Sequence, residues 1–163
     1  MIGCNFCPFA AKPMQQKTIR YVVSAESDPA LCLELLRSEF EYLDAHEETE
    51  TTFIIFPQTF AVLDDYLDLA EQADDLADED YEGVYQVASF HPLYQFGGAP
   101  ANDPANYTNR SIFPMLHILR EESITNALKH FPNPDKIPDD NIAYARAKGL
   151  NYMKLLRAAC MGE

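Results

Sequence analysis

The run Thr51-Thr52-Phe53-Ile54-Ile55-Phe56 carries no charge and is stopped by Pro57. It is too short for a stable helix, and its β-branched and aromatic residues suit a pleated strand. An uninterrupted apolar strand has no face to give to water, so it is predicted to be central and covered on both sides. Its neighbours repeat the theme. Arg20-Tyr21-Val22-Val23-Ser24 reads as strand one and Gly83 to Phe90 as strand three. Between them lie two amphipathic helices. The first starts at Asp28-Pro29, an N-cap acid followed by proline, and runs to about His46 with the stripe Cys32, Leu35, Leu36, Phe40 and Leu43. The second runs from about Thr59 to Ala77, with Phe60, Leu63, Leu67, Ala70, Ala73 and Leu76 on one side. Residues 1–17 read as an irregular opening and residues 91–110 as a long polar loop. Helix three is expected over about Ser111 to Lys129, and helix four over about Asp139 to Ala159 after a proline-broken link. The expected fold is α/β: a three-stranded, parallel β-α-β-α-β sheet followed by two C-terminal helices. Ligands in such sheets sit beyond the carboxyl ends of the strands, here Ser24-Ala25-Glu26, Pro57-Gln58 and His91-Pro92.

At 163 residues the chain has the length of one domain and can bury a core without staples. No apolar run approaches the roughly 18–20 residues of a membrane span, so no membrane partner is expected. No cationic stretch leads into an apolar one at the N-terminus, and four cysteines in such a chain read as reduced thiols, so the expected location is the cytoplasm. The net charge of −14 is unevenly spread: the 72 residues between Arg37 and Arg110 hold 17 of the 26 acids and no Lys or Arg. Such a middle repels phosphate backbones and excludes nucleic acid as a partner. A solvated helix face accounts for most of these acids.

Three segments and two further side chains carry chemistry. Cys4-Asn5-Phe6-Cys7 is a C-x-x-C pair, half a zinc site or a redox dithiol, but equally two partly buried thiols. Ser89 to Phe96 places His91 at a strand end, with Tyr94 close behind. Histidine is the commonest general acid or base near neutral pH, and just as readily a loop residue tied to backbone. Asn106 to Ser111 ends in Arg110, the first base after the acidic stretch, flanked by Asn109 and Ser111 where helix three is predicted to begin. A helix N-terminus with a guanidinium makes an anion site, unless Arg110 pairs with Asp103. On the wheel of that helix His117 and Arg120 fall inside the apolar sector, which calls for buried partners, Glu26 for example in the case of Arg120. No G-x-S-x-G, Walker loop or dinucleotide fingerprint is present, and Gly97-Gly98 is too short a phosphate cradle.

The string Ile2 to Ala10, with Ser89 to Phe96, Asp103 to Ser111, Pro114 to Arg120 and Asn141-Ile142, resembles the signatures of a bacterial family catalogued as domain of unknown function 1415. The resemblance covers nearly the whole chain and implies no particular activity. Members of that family usually lack a cysteine where this chain has Cys4, which leaves Cys7 as the thiol of interest. They also carry a helix ahead of the opening motif, which leaves open a domain over residues 1–163 that is short of its first helix.

These residues support three functional readings. In the first, an enzyme acts on a small anionic metabolite: Asn5, Tyr94, Asn109, Arg110, Ser111 and Arg120 bind the substrate, His91 moves a proton and Cys7 is nucleophile or ligand. In the second, His91, His117 and Cys7 hold a divalent metal. In the third, the chain is a non-catalytic interaction protein whose acidic helix meets a basic partner.

Overall fold

The computed structural model describes Cys4, Phe6, Cys7 and residues 9–129 and 133–162. Among these, six α-helices and four strands form a mixed α/β fold. In chain order they are α1 (Ala11–Gln16), β1 (Ile19–Val23), α2 (Pro29–Ala45), β2 (Thr51–Ile55), α3 (Leu63–Tyr81), β3 (Tyr85–Phe90), β4 (Met115–Arg120), α4 (Glu121–Leu128), α5 (Ile137–Lys148) and α6 (Leu150–Cys160). A 3-10 turn spans Pro104–Thr108.

The sheet order is β1-β2-β4-β3. β1 and β2 pair in parallel, as the β-α-β pattern requires, but β4 enters between β2 and β3 and runs antiparallel to both. This corrects the expected three-stranded parallel sheet. The segment read as the first half of helix three is the strand Met115-Leu116-His117-Ile118-Leu119-Arg120, and only Glu121–Leu128 is helical. Its alternation is strand-like: Leu116 and Ile118 are fully buried, while Met115, His117 and Leu119 face the other side. The predicted helix four is two helices, α5 and α6, parted at Gly149, whose φ of 81° suits glycine. Helix two begins at Leu63 rather than Thr59, because Phe60 adopts a left-handed φ of 56°. Residues 11–16 of the opening are helical.

Helices α2 and α3 cover one sheet face. Asp28 caps α2 by accepting from Ala30 N–H at 2.9 Å, with Pro29 next. The core joins Leu36, Phe40 and Leu43 of α2 to Tyr66, Leu69 and Ala73 of α3 over Ile54, Leu116 and Ile118. The buried Glu39 carboxylate takes two bonds from Arg20, at 2.7 and 3.1 Å. The opposite face carries Tyr21, Phe53 and His117 in one cross-strand row and Val23, Ile55, Met115 and Phe90 in the next. It is only half covered: β2 is interior to the sheet, yet Phe53 and Ile55 stay partly exposed and Tyr21 and Val23 of edge strand β1 are open. No described helix is long and apolar enough to cross a membrane.

Candidate functional site

β1, β2 and β3 point the same way, so their carboxyl ends share one edge of the sheet despite the inserted β4. The connection from the long loop into β4 returns along that edge, where Phe56 N–H meets Pro114 O at 2.9 Å. Here α6 crosses the half-covered face and leaves a cavity of about 390 Å³. Phe53, Ile55, Phe90 and Met115 of the sheet form its floor. Met153, Leu156, Arg157 and Cys160 of α6 form its roof, Phe6 lies on one side, and residues 107–108 and 110–113 close the end. The volume is at the small end of the ~300–1,000 Å³ range of ligand pockets, and the lining is mostly apolar.

The cavity's charge comes from two arginines. Arg110 is fixed by donating Nε to Tyr94 O and Nη2 to Ala101 O, each at 2.9 Å, with its guanidinium 4.8 Å from the Tyr107 ring centre. Arg157 donates Nε to Ser111 O at 3.1 Å, and its terminal nitrogens have no acceptor among the described residues. Neither arginine is in an ion pair there; the three pairs found involve Arg20, Arg37 and Arg146. In a chain of net charge −14, two half-buried guanidiniums stand at one apolar cavity with no carboxylate partner among the described residues.

Of the residues expected to bind, Arg110 and Ser111 line the cavity, Tyr94 meets Arg110 through its carbonyl, and Asn109 is not among the lining residues; no helix begins at Ser111. A helix dipole therefore adds nothing to the charge of Arg110 here. Asp103, the alternative partner for Arg110, pairs with Arg146 at 2.7 Å, and the guanidinium there lowers the carboxyl pKa. Asn109 accepts from the Thr108 hydroxyl at 3.1 Å, and the Ser111 hydroxyl donates to Phe113 O.

His91 is fully buried against Tyr66, with both ring nitrogens engaged. Nε2 bonds Phe60 O at 2.9 Å, and Nδ1 accepts from Leu93 N–H at 3.0 Å. Burial holds its pKa below the usual value. The bond to Phe60 opposes that shift, and the charge of Arg157 reinforces it. In this arrangement His91 is a neutral clamp on the Phe60 turn and the start of the long loop. His117 lies on the other sheet face, stacked on Phe53 at 3.8 Å, with Nε2 2.7 Å from the Thr51 hydroxyl. The two imidazoles are thus separated by the sheet. Among the described residues no group of three or more His, Cys, Asp or Glu side chains could hold a metal.

Arg120 sits at the opposite edge, far along the strands from Glu26. It closes the end of α2 by donating to Leu43 O at 2.6 Å and to the carbonyls of His46 and Thr49, and it reaches the Tyr85 hydroxyl at 3.2 Å. Cys7 is half-buried and does not line the cavity; its neighbour Phe6 does, held by Asn141 Nδ2–H to Phe6 O at 2.7 Å. Asn5 lies outside the described residues. Sequence reasoning missed Arg157 and Cys160. Their signal was present: Arg157 has no acid three or four residues away on either side in an otherwise acidic chain.

A family model described as "Protein of unknown function (DUF1415)" matches residues 1–155. Comparison with curated proteins and with solved structures gave no match. The chain therefore belongs to the DUF1415 family.

Proposed function

We propose that this DUF1415 member binds a small organic anion with an apolar body in the cavity between the sheet and α6. The observation that carries this reading is the pair Arg110 and Arg157, neither ion-paired with an acid among the described residues, at one cavity that is otherwise apolar. A carboxylate or phosphate would take the terminal nitrogens of Arg157 and the remaining donors of Arg110, and the ligand's hydrocarbon part would cover Phe53, Phe90 and Met115. Arg110 is pre-positioned by its carbonyl bonds, which lowers the ordering cost of binding.

For an enzymatic reading, the thiol the cavity offers is Cys160 rather than Cys7, and His91 lacks an open nitrogen. Binding therefore has more support than proton transfer by His91. A location in the cytoplasm accords with four free cysteines.

The test is a thermal-shift and calorimetric screen of aryl and alkyl carboxylates and phosphates, run beside Arg157→Gln, which keeps one donor for Ser111. A ligand that stabilises the natural chain and loses about tenfold or more in affinity in the variant supports the reading. Neutral amide analogues that bind as well as the acids would end it.

A further inference from the structure

The acidic stretch has its own concave surface, on the other side of the sheet from the arginine cavity. β3 is an edge strand. After the turn at Gly83, whose φ is 74°, it runs back along α3. Between them lies a groove of about 400 Å³ lined by Leu67, Ala70, Glu71, Asp74, Val87 and Ser89. The four α3 residues stand at the i, i+3, i+4, i+7 spacing of one helix face. Leu67 is 42% exposed although apolar.

The phase of the β3–β4 ladder decides which main-chain groups face this groove. Glu121 N–H donates to Val84 O at 3.0 Å, so Val84 and Glu121 are a bonded pair. In an antiparallel ladder bonded pairs alternate, so Gln86 and Ala88 turn their N–H and C=O toward β4, while Tyr85, Val87 and Ser89 turn theirs outward. Val87 and Ser89, the two β3 residues of the groove, have no main-chain partner outside the sheet among the described residues. The groove thus combines unpaired strand donors and acceptors, a short apolar floor and two carboxylates. Neither Glu71 nor Asp74 is ion-paired among the described residues.

We propose that the groove between α3 and the outer edge of β3 binds an extended basic segment of another protein, which adds as a strand to Val87 and Ser89 and lays lysine or arginine side chains against Glu71 and Asp74. Main-chain bonds supply affinity in such strand addition, and side chains supply selection. A second copy of this chain is the disfavoured occupant: pairing two β3 edges would bring two acidic rims together in molecules that each carry −14.

The test uses fluorescence anisotropy with a labelled, N-acetylated peptide of alternating lysine and valine, about six residues long to match a strand. Binding is expected to weaken as salt is raised, and to weaken about three- to tenfold in the double variant Glu71→Gln, Asp74→Asn. A peptide of the same charge, N-methylated at alternate residues so that it cannot donate to the edge, is expected to lose binding. Val87→Pro, which removes an outward donor and leaves the β4 ladder intact, gives the same loss from the protein side. Equal binding of the N-methylated peptide would overturn strand addition even if the proline variant does not fold. A control peptide of alternating glutamate and valine is expected not to bind, and equal binding of it would overturn the charge argument. A dimer in sedimentation without peptide, dissociated by Val87→Pro, would assign the edge to a second copy.

Discussion

Arg120 lies at the far edge of the sheet from the arginine cavity, and replacing it separates a structural role from a binding one. In Arg120→Met the carbonyls of Leu43, His46 and Thr49 lose a charged donor, and the Tyr85 hydroxyl loses its neighbour while still donating to Asp44 at 2.7 Å. Leu43 lies in the last turn of α2, where its carbonyl also accepts from His46 N–H at 3.2 Å. All of these bonds are partly rather than fully buried, so each acceptor is taken at about 1 kcal/mol, the central value for a hydrogen bond and below the ~1.5–3 kcal/mol of one to a charged group. Three acceptors give a loss of about 3 kcal/mol. In a domain of this size each kcal/mol is worth about 2–4 °C, so the thermal midpoint should fall by about 6–12 °C. Differential scanning calorimetry on the variant measures the fall, and titration with whichever anion stabilises the natural chain should give an unchanged dissociation constant. An unaltered midpoint together with a tenfold weaker anion affinity would refute the reasoning and make Arg120 a binding residue.

Burial holds the His117 pKa down at about 3, whereas the unfolded chain takes up that proton near 6.5. Below about pH 6.5 the unfolded state binds more protons, so stability is complete above that value and declines as pH falls toward 3. His91, also lowered, acts in the same direction. Thermal midpoints read between pH 6.5 and 5 should decline, and His117→Phe should reduce the slope; an unchanged slope would place the proton elsewhere. Tyr66→Phe removes the buried hydroxyl that accepts from Phe90 N–H at 3.0 Å and donates to Met115 O at 2.7 Å, and should cost about 1–3 kcal/mol in urea unfolding with the m-value unchanged. Cys160 is exposed and Cys32 is 1% exposed, with burial pushing its thiol up to about 11. A chromogenic disulfide reagent should therefore modify Cys160 early and Cys32 only as the chain unfolds, and a cavity ligand should slow the Cys160 reaction.

The first half of the fold was legible in the sequence because each element carries its own punctuation: Asp28-Pro29 opens α2, Pro57 stops the strand before it, and Gly83 turns α3 into β3. β4 was not legible. Met, Leu, His and Arg are ordinary helix residues, and the strand passes directly into α4, with Arg120 as the last extended residue at φ −76° and ψ 122°. Apolar residues on both sides of that junction merged into one apparent helical stripe. Only the gap between β2 and β3, a tertiary fact, makes Leu116 and Ile118 a strand. The site was half legible for a related reason. Arg110 stood out because 72 residues without a base precede it, whereas Arg157 lies in an amphipathic helix whose polar face looks ordinary until α6 is seen to cross the sheet. His91 was legible as important, but its partners are backbone groups of Phe60 and Leu93, which no side-chain pattern announces.

The insertion of β4 sets a schedule for the nascent chain. Strands β1 to β3 leave the ribosome first, and until residues 115–120 follow, β2 and β3 have no strand between them to satisfy their inner edges. At ~5–20 residues per second, synthesis of residues 91–114 keeps those edges waiting for on the order of 1–5 s. During that interval the emerged part is the most acidic portion of the molecule. Mutual repulsion between neighbouring nascent chains on one message then opposes edge-to-edge association until the central strand arrives.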